Sequence, residues 1–419
     1  MQTALAEEFK STREGQAAEA ILRKCVHCGF CTATCPTYQL LGDELDGPRG
    51  RIYLMKQVLE GASVTRKTQL HLDRCLTCRN CETTCPSGVQ YGRLLDIGRR
   101  VVEQRVERPA GERAVRWLLK EGLTSPLFAP AMKLGQRVRP LLPAALKAKV
   151  PVATAARRWP AREHARKVLL LAGCVQPAMM PNVNTATARV LDAAGIQTVV
   201  ADGAGCCGAI RAHLNDHEGG LADMRRNVDA WWPHVERGEV EAIVMNASGC
   251  GVTVKEYGHA LAHDSAYADR ARRIAALTKD LSELLPDLLP ALQERLAHAA
   301  ETAAARRAGP PPKRLAYHPP CTLQHGQQLR GGVEQGLRAL GFDVQLAAQE
   351  SHLCCGSAGT YSVLQPALAY PLRDRKLAHL APLEPQVIIS ANIGCIQHLQ
   401  SGTPLPVRHW VEVLDDALG

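Results

Sequence analysis

Apolar positions along the chain follow two different rhythms. In the N-terminal part they recur at helical spacing. Ile52, Met55, Val58 and Leu59 mark a segment from Asp43 to Glu60, and Leu95, Val102, Val106, Val115 and Leu118 mark another from Leu94 to Lys120. The first 24 residues read as a short helix, and Thr68 to Asp73 as a lead-in to the next loop. Beyond Arg166, short apolar runs alternate with helical stretches. Strands are predicted at Lys167–Ala172, Gln197–Ala201, Glu241–Met245, Arg314–Tyr317, Asp343–Leu346 and Gln386–Ser390, with helices over Asn182–Ala194, 221–237 and Val333–Leu340. That alternation predicts mostly parallel sheets.

Between the two regions, Thr124 to Arg162 has eight Lys/Arg, no Asp or Glu, and prolines at 126, 130, 140, 143, 151 and 160. Proline breaks any long helix here, so the segment reads as a linker or docking arm around the short apolar pieces PLFAPAM and PLLPAAL. Residues 275–313 read as a connector with a long helical stretch and a Pro-rich exit, GPPPK.

Composition narrows the class. The chain has 419 residues, 46% of them hydrophobic, with 50 Lys+Arg against 41 Asp+Glu and a net charge of +9. It can bury a sizeable core without disulfides, and it has no charge-free apolar run of about 18 residues to span a membrane. The start, MQTALAEEFKSTREG, lacks an apolar signal region, so a cytoplasmic location is expected. In a reducing compartment, 16 cysteines point to metal or redox chemistry.

Eight of them form two loops, Cys25-x2-Cys28-x2-Cys31-x3-Cys35-Pro36 and Cys75-x2-Cys78-x2-Cys81-x3-Cys85-Pro86. This is the bacterial ferredoxin spacing, in which the fourth cysteine ligates the other cluster. Two-residue gaps turn successive thiolates inward while backbone N–H groups face the sulfides. The spacing therefore predicts two [4Fe–4S] clusters, one on Cys25, Cys28, Cys31 and Cys85, the other on Cys75, Cys78, Cys81 and Cys35. Both would be saturated with protein ligands and would carry electrons rather than bind substrate. Zinc commonly uses two simple C-x2-C pairs, which these complete runs are not.

The other eight cysteines form an internal repeat. Cys174 is followed by Cys206–Cys207–Gly208 and Cys250, and Cys321 by Cys354–Cys355–Gly356 and Cys395. The outer cysteines follow apolar strands (VLLLAGC, AIVMNASGC, RLAYHPPC, VIISANIGC), and ligands in parallel α/β sheets collect at strand carboxyl ends. Each set should converge at one sheet edge. Three readings stay open: an additional iron–sulfur centre, a zinc site, or reduced structural thiols.

Paired ferredoxin loops followed by two Cys-Cys-Gly repeats, with DGPRGRIYLMK, GAGCCGA, NASGCG, HPPCTLQHGQ, CCGSAGTYS and SANIGCIQHLQSGT, resemble the iron–sulfur subunits of bacterial glycolate oxidase over essentially the whole chain. Similar arrangements occur in the C subunit of anaerobic glycerol-3-phosphate dehydrogenase and in lactate-utilisation and heterodisulfide reductase proteins. The last end each repeat with C-x2-C. Here Cys250 is followed by Thr253 and Cys395 by His398, which puts thiol/disulfide catalysis in doubt; His398 reads either as a substitute nitrogen ligand or as a helix-start or surface residue.

The expected fold class is thus α+β and multidomain: a small helical ferredoxin-like domain (1–108), the basic arm (109–166), a first α/β repeat (167–274), the connector (275–313) and a second repeat (314–419). No flavin or nucleotide fingerprint is present, so no residue is expected to take a hydride from a hydroxy acid. The resemblance implies that separate flavin (FAD) subunits do so, that this chain passes electrons toward a membrane quinone or other acceptor, and that it sits peripherally on the cytoplasmic face of the inner membrane. The basic arm would wrap a neighbouring subunit or the chain's own domains, or meet anionic lipid. Nucleic acid is not an expected partner, since Trp159 and Phe128 are the arm's only aromatics of note. Arg49 and Arg51 read as ion-pair partners.

Overall fold

The computed structural model describes residues 1–147, 149–306 and 314–419. Ala148 and the GPPPK exit lie outside the described residues. In the N-terminal domain, helices Arg13–Lys24, Pro48–Leu59, Arg66–Asp73 and Tyr91–Arg105 surround a core of Leu22, Met55, Leu59, Leu72, Leu94 and Leu95. Local chemistry sets their starts. Thr12 and Thr65 cap two of the helices by accepting the amides of Gly15 and Thr68, and Pro48 occupies the first turn of a third. The expected apolar stripe Ile52, Met55, Val58 and Leu59 is buried throughout.

The second expected stripe divides. Leu94 to Lys120 is not one helix but two, Tyr91–Arg105 and Ala110–Thr124. Pro109 interrupts the run, because it has no amide and disfavours helical geometry in the residue before it. Arg108 turns inward at the break, onto Asp73 at 2.6 Å and Glu103 at 2.6 Å. As a result Val115 and Leu118 are exposed at 44% and 63% rather than serving as core contacts.

The arm continues as helix Phe128–Arg137 and short turns. It folds back over its own chain: Gln136 donates to the carbonyl of Ala178, Lys149 to Ser362, and Arg157 to Asp415 and Asp416. Its apolar tips Leu127, Leu134 and Leu141 stay exposed.

Each repeat forms a four-stranded, all-parallel sheet. The first comprises β1 (Arg166–Leu170), β2 (Ile196–Val199), β3 (Ala242–Met245) and β4 (Thr278–Asp280) in the order β2-β1-β3-β4. The second comprises β5 (Arg314–Tyr317), β6 (Asp343–Leu346), β7 (Val387–Ser390) and β8 (Val407–His409) in the matching order β6-β5-β7-β8. Strands β4 and β8 were not expected. Each is three residues long and carries polar residues, TKD and VRH, so neither presents an apolar run. β4 also extends the first sheet into the segment read as a connector.

The sheets are not independent. One core joins Val168, Leu170 and Val244 of the first to Leu315, Tyr317 and Ile389 of the second, through helices Asn182–Ala193, Leu281–Arg306 and Trp410–Leu418. Separate clusters cover the opposite faces. Both sheets are therefore buried on two sides, which is why their strands read as continuous apolar runs. Among the described residues no helix is long and apolar enough to cross a membrane.

Candidate functional site

The two cysteine loops adopt the same backbone path. Positive φ occurs at the second residue after the first cysteine in each, His27 (56°) and Thr77 (52°), and again at Gly29 (86°) and Arg79 (59°). These left-handed residues coil the loop so that its thiols face one centre. At Gly29 a side chain would also meet the Arg49 guanidinium at 2.8 Å. At Arg79 the left-handed conformation, uncommon for a non-glycine residue, is held by ion pairs to Glu82 at 3.0 Å and Glu256 at 2.5 Å.

The loops enclose two neighbouring cavities. The first, of about 430 Å³ and partly open, is lined by Cys25, Cys28, Cys31, Cys81 and Cys85. The second, of about 300 Å³, is lined by Cys35, Cys75, Cys78 and Cys81. Cys81 lines both; counted with the second cavity, it leaves each with three cysteines from one loop and a fourth from the other. Cys28 is exposed, as are Val26 and Phe30 beside it, so the first cavity lies at the surface. Burial pushes the Cys31 thiol up to about 11, helped by Cys25, and pushes Cys78 and Cys81 well above the usual cysteine range. Thiols so placed become thiolates when a metal takes the charge.

A polar frame holds the fourth cysteine of the first loop. Thr37 stands 3.3 Å from the Cys35 sulfur and donates to the Asp46 carbonyl at 2.8 Å. The Asp46 carboxylate, fully buried, receives Arg51 at 3.2 Å, Arg74 at 2.7 Å and His71 at 3.1 Å. Arg49 pairs with Glu44 at 2.7 Å, so Arg49 and Arg51 are both ion-pair partners. Around the second cavity, the Thr77 amide and the Tyr91 hydroxyl each reach the Cys75 sulfur at 3.5 Å.

The second loop docks on the second repeat. Thr83 meets His325 at 2.8 Å, Asn80 donates to the His352 carbonyl at 3.4 Å, and Tyr361 donates to the Arg74 carbonyl at 2.9 Å. Leu76 shares an apolar cluster with Cys321 and Cys354, and Cys78 packs against it.

In each repeat the four cysteines do converge past the strand ends. Thiol contacts link Cys174 to Cys206, Cys206 to Cys207 and Cys207 to Cys250. The second copy links Cys321 to Cys354, Cys354 to Cys355 and Cys355 to Cys395. The glycine after each pair is required: Gly208 and Gly356 have φ of 91° and 88°, and each amide lies 3.4 Å from the first sulfur of its pair. A side chain at Gly356 would meet the Ala369 carbonyl oxygen at 2.4 Å. The Cys174 and Cys207 thiols, followed by the Gly208 and Ile210 amides, hold the Cys206 thiol well below its ordinary range.

His398, the nitrogen donor considered from sequence, is not at this centre. It is a buried residue whose ring stacks on Tyr370 and whose Nε2 meets the Ala369 carbonyl at 3.1 Å. The imidazole that does face the second set is His318, within 4.8 Å of Cys355 and Cys395. Sequence reading passed over it, although HPPC against LAGC at equivalent strand exits is a visible difference.

A family profile described as a 4Fe-4S dicluster domain matches residues 21–89, and one described as a cysteine-rich domain matches 168–255 and 315–400. The chain is 54% identical over 420 residues to the glycolate oxidase iron-sulfur subunit of Escherichia coli (strain K12), covering 100% of this chain and 99% of that protein. It is 29% identical over 424 residues to a probable glycolate oxidase iron-sulfur subunit of Bacillus subtilis (strain 168), covering 94% and 91%. Lactate utilization protein A of Geobacillus thermodenitrificans (strain NG80-2) is 26% identical over 261 residues, 59% of this chain and 98% of that protein.

Proposed function

The chain belongs to the family of iron–sulfur subunits of bacterial glycolate oxidase, and on that premise we propose that it is the electron-transfer subunit of an oxidoreductase complex whose flavin (FAD) subunits oxidise glycolate to glyoxylate. The observation that carries this reading is the pair of adjacent cysteine-lined cavities, each receiving cysteine from both loops and sharing Cys81. Cys25, Cys28, Cys31 and Cys85 would hold one [4Fe–4S] cluster, and Cys35, Cys75, Cys78 and Cys81 the other. The chemistry such clusters supply is one-electron transfer. The residues fit them: the thiols are grouped in fours, the pockets are largely apolar, and donors from Thr77 and Tyr91 meet a sulfur.

The remaining residues set the order of access. Val26 and Phe30 offer an apolar contact surface beside the outer site. Cys78, packed against the cluster of Cys321 and Cys354, joins the inner site to the second repeat, so the repeat cysteines stand where an iron–sulfur centre would extend the relay, whereas zinc, which has no redox chemistry, would serve a structural role there. The chain itself would carry no substrate-oxidising residue. Its apolar-tipped basic arm would meet a neighbouring subunit or the anionic cytoplasmic face of the inner membrane, from which a quinone or other acceptor takes the electrons.

The test is anaerobic purification of the whole complex. Glycolate should reduce the clusters, seen by magnetic resonance, only when the flavoproteins are present. Absence of iron from the chain, or full turnover by the flavoproteins without it, would sink the proposal.

A further inference from the structure

Three donor atoms in the second repeat have a spacing that the ferredoxin loops lack. A ring nitrogen of His318 and the sulfurs of Cys355 and Cys395 all lie within 4.8 Å of one another, and all three residues are buried. Among the described residues, no three loop cysteines come that close together; they stand around open cavities instead. Thiolates bound to different corners of a cube must be spread apart. Donors on one tetrahedral ion, with metal–sulfur bonds of about 2.3 Å, are close neighbours.

His318 supplies the second, independent observation. It is 1% exposed, and neither ring nitrogen has a hydrogen-bond partner. Burying a polar group without a partner is unfavourable, and native interiors rarely leave one so. A metal bond removes that penalty at the nitrogen facing the sulfurs. The backbone holds the ring there, because the His318 amide donates to the Ile389 carbonyl at 2.9 Å, continuing the β5–β7 pairing one residue past the strand.

The first repeat makes the same turn without the ligand. Leu171 occupies the equivalent position, its amide donating to the Val244 carbonyl at 3.4 Å, and its side chain lies in the apolar core. No equivalent three-donor group forms there among the described residues. Two sites with the same cysteine pattern therefore differ by one nitrogen.

We propose that the second repeat, and not the first, holds a single divalent ion of thiolate–imidazole preference, zinc by its ligand chemistry, on His318, Cys355 and Cys395. Cys2His is a ligand set that zinc uses. Binding releases one proton from each of the two thiols, so two thiolates and a neutral imidazole balance the ion's double charge, as a fully buried site needs. This rests on the reading of the repeat cysteines as metal ligands and specifies which metal and which copy.

The experiment is metal quantification and zinc-edge X-ray absorption on the full chain purified anaerobically. The variants are His318→Ala, His318→Cys, Cys395→Ser and, in the first repeat, Cys174→Ser. The expected result is stoichiometric zinc with mixed nitrogen and sulfur ligation in the unaltered chain. Zinc should be lost in His318→Ala and Cys395→Ser, and kept in Cys174→Ser. His318→Cys should keep it with sulfur-only ligation. Ferredoxin-loop iron should not change. Zinc that persists in His318→Ala, sulfur-only ligation in the unaltered chain, or additional iron in place of zinc overturns this inference while leaving the repeats as metal sites. No metal beyond the loop iron overturns the broader reading as well. If His318→Ala does not accumulate, the absorption spectrum of the unaltered chain decides alone.

Discussion

Arg79, in the second cysteine loop, forms an ion pair with Glu256 of the first repeat at 2.5 Å, across 177 residues of sequence. The same guanidinium also binds Glu82 within its own loop. One side chain therefore holds a strained loop residue in shape and ties the ferredoxin domain to the repeat. Glu256 is half-exposed, so its half of the bridge is worth at most about 1 kcal/mol. Arg79→Gly suits the backbone but loses both ion pairs. It should retain cluster iron and lower the thermal midpoint by a few degrees, while Arg79→Val should lose iron from the inner site because a β-branched residue resists positive φ. Iron retention in Arg79→Val would show that the loop tolerates another path.

The proposed exchange of the fourth ligand between loops has a spectroscopic consequence. Cys35→Ser should alter the same cluster signal as Cys78→Ser, and Cys85→Ser the same signal as Cys28→Ser. Magnetic resonance of the reduced single variants checks the pairing. If Cys35→Ser matched Cys28→Ser, each loop would complete its own site.

Asp46 concentrates charge in the frame behind Cys35. Asp46→Ala would leave Arg51, 1% exposed, buried without its carboxylate, at a cost of about 3–5 kcal/mol. Soluble yield and inner-cluster iron should both fall sharply. Retention of both would mean that Arg51's bond to the His71 carbonyl, at 2.7 Å, suffices.

Gly356→Ala forces a side chain onto the Ala369 carbonyl oxygen and onto positive φ. It should cost about 1–3 kcal/mol and disturb metal binding in the second repeat, leaving ferredoxin-loop iron in place. Chemical unfolding with parallel metal analysis measures both.

Phe30→Ser, at an exposed position, should change stability by no more than about 0.5 kcal/mol. If the outer site meets the flavoproteins there, the rate of cluster reduction by the reduced partner should drop about tenfold, the equivalent of about 1.4 kcal/mol of docking energy. Stopped-flow absorbance reads that rate directly.

Much of this molecule was legible in one dimension. Ligand chemistry demands thiols at fixed short spacing, so the two loops and the twofold Cys-Cys-Gly pattern could be read from Cys25 to Cys395 without coordinates. Apolar runs bounded by turns located six of the eight strands, because two-sided burial leaves a continuous hydrophobic signal. β4 and β8 left none: they are short, polar strands that exist only because β3 and β7 offer them partners. Pro109 was equally visible, yet its effect on Val115 and Leu118 depended on which surface the broken helix then faced.

By itself, the sequence determined the kinds of ligand and the repeat architecture, since both follow from covalent spacing and local periodicity. Tertiary structure alone decided how the cysteine loops meet the repeats and which histidine faces the repeat thiols. It set Cys78 against Cys321 and Cys354, turned His398 toward a carbonyl and aimed His318 at the thiols. Those outcomes depend on how strand exits and helix packing direct side chains across long stretches of chain, and no local pattern encodes that direction.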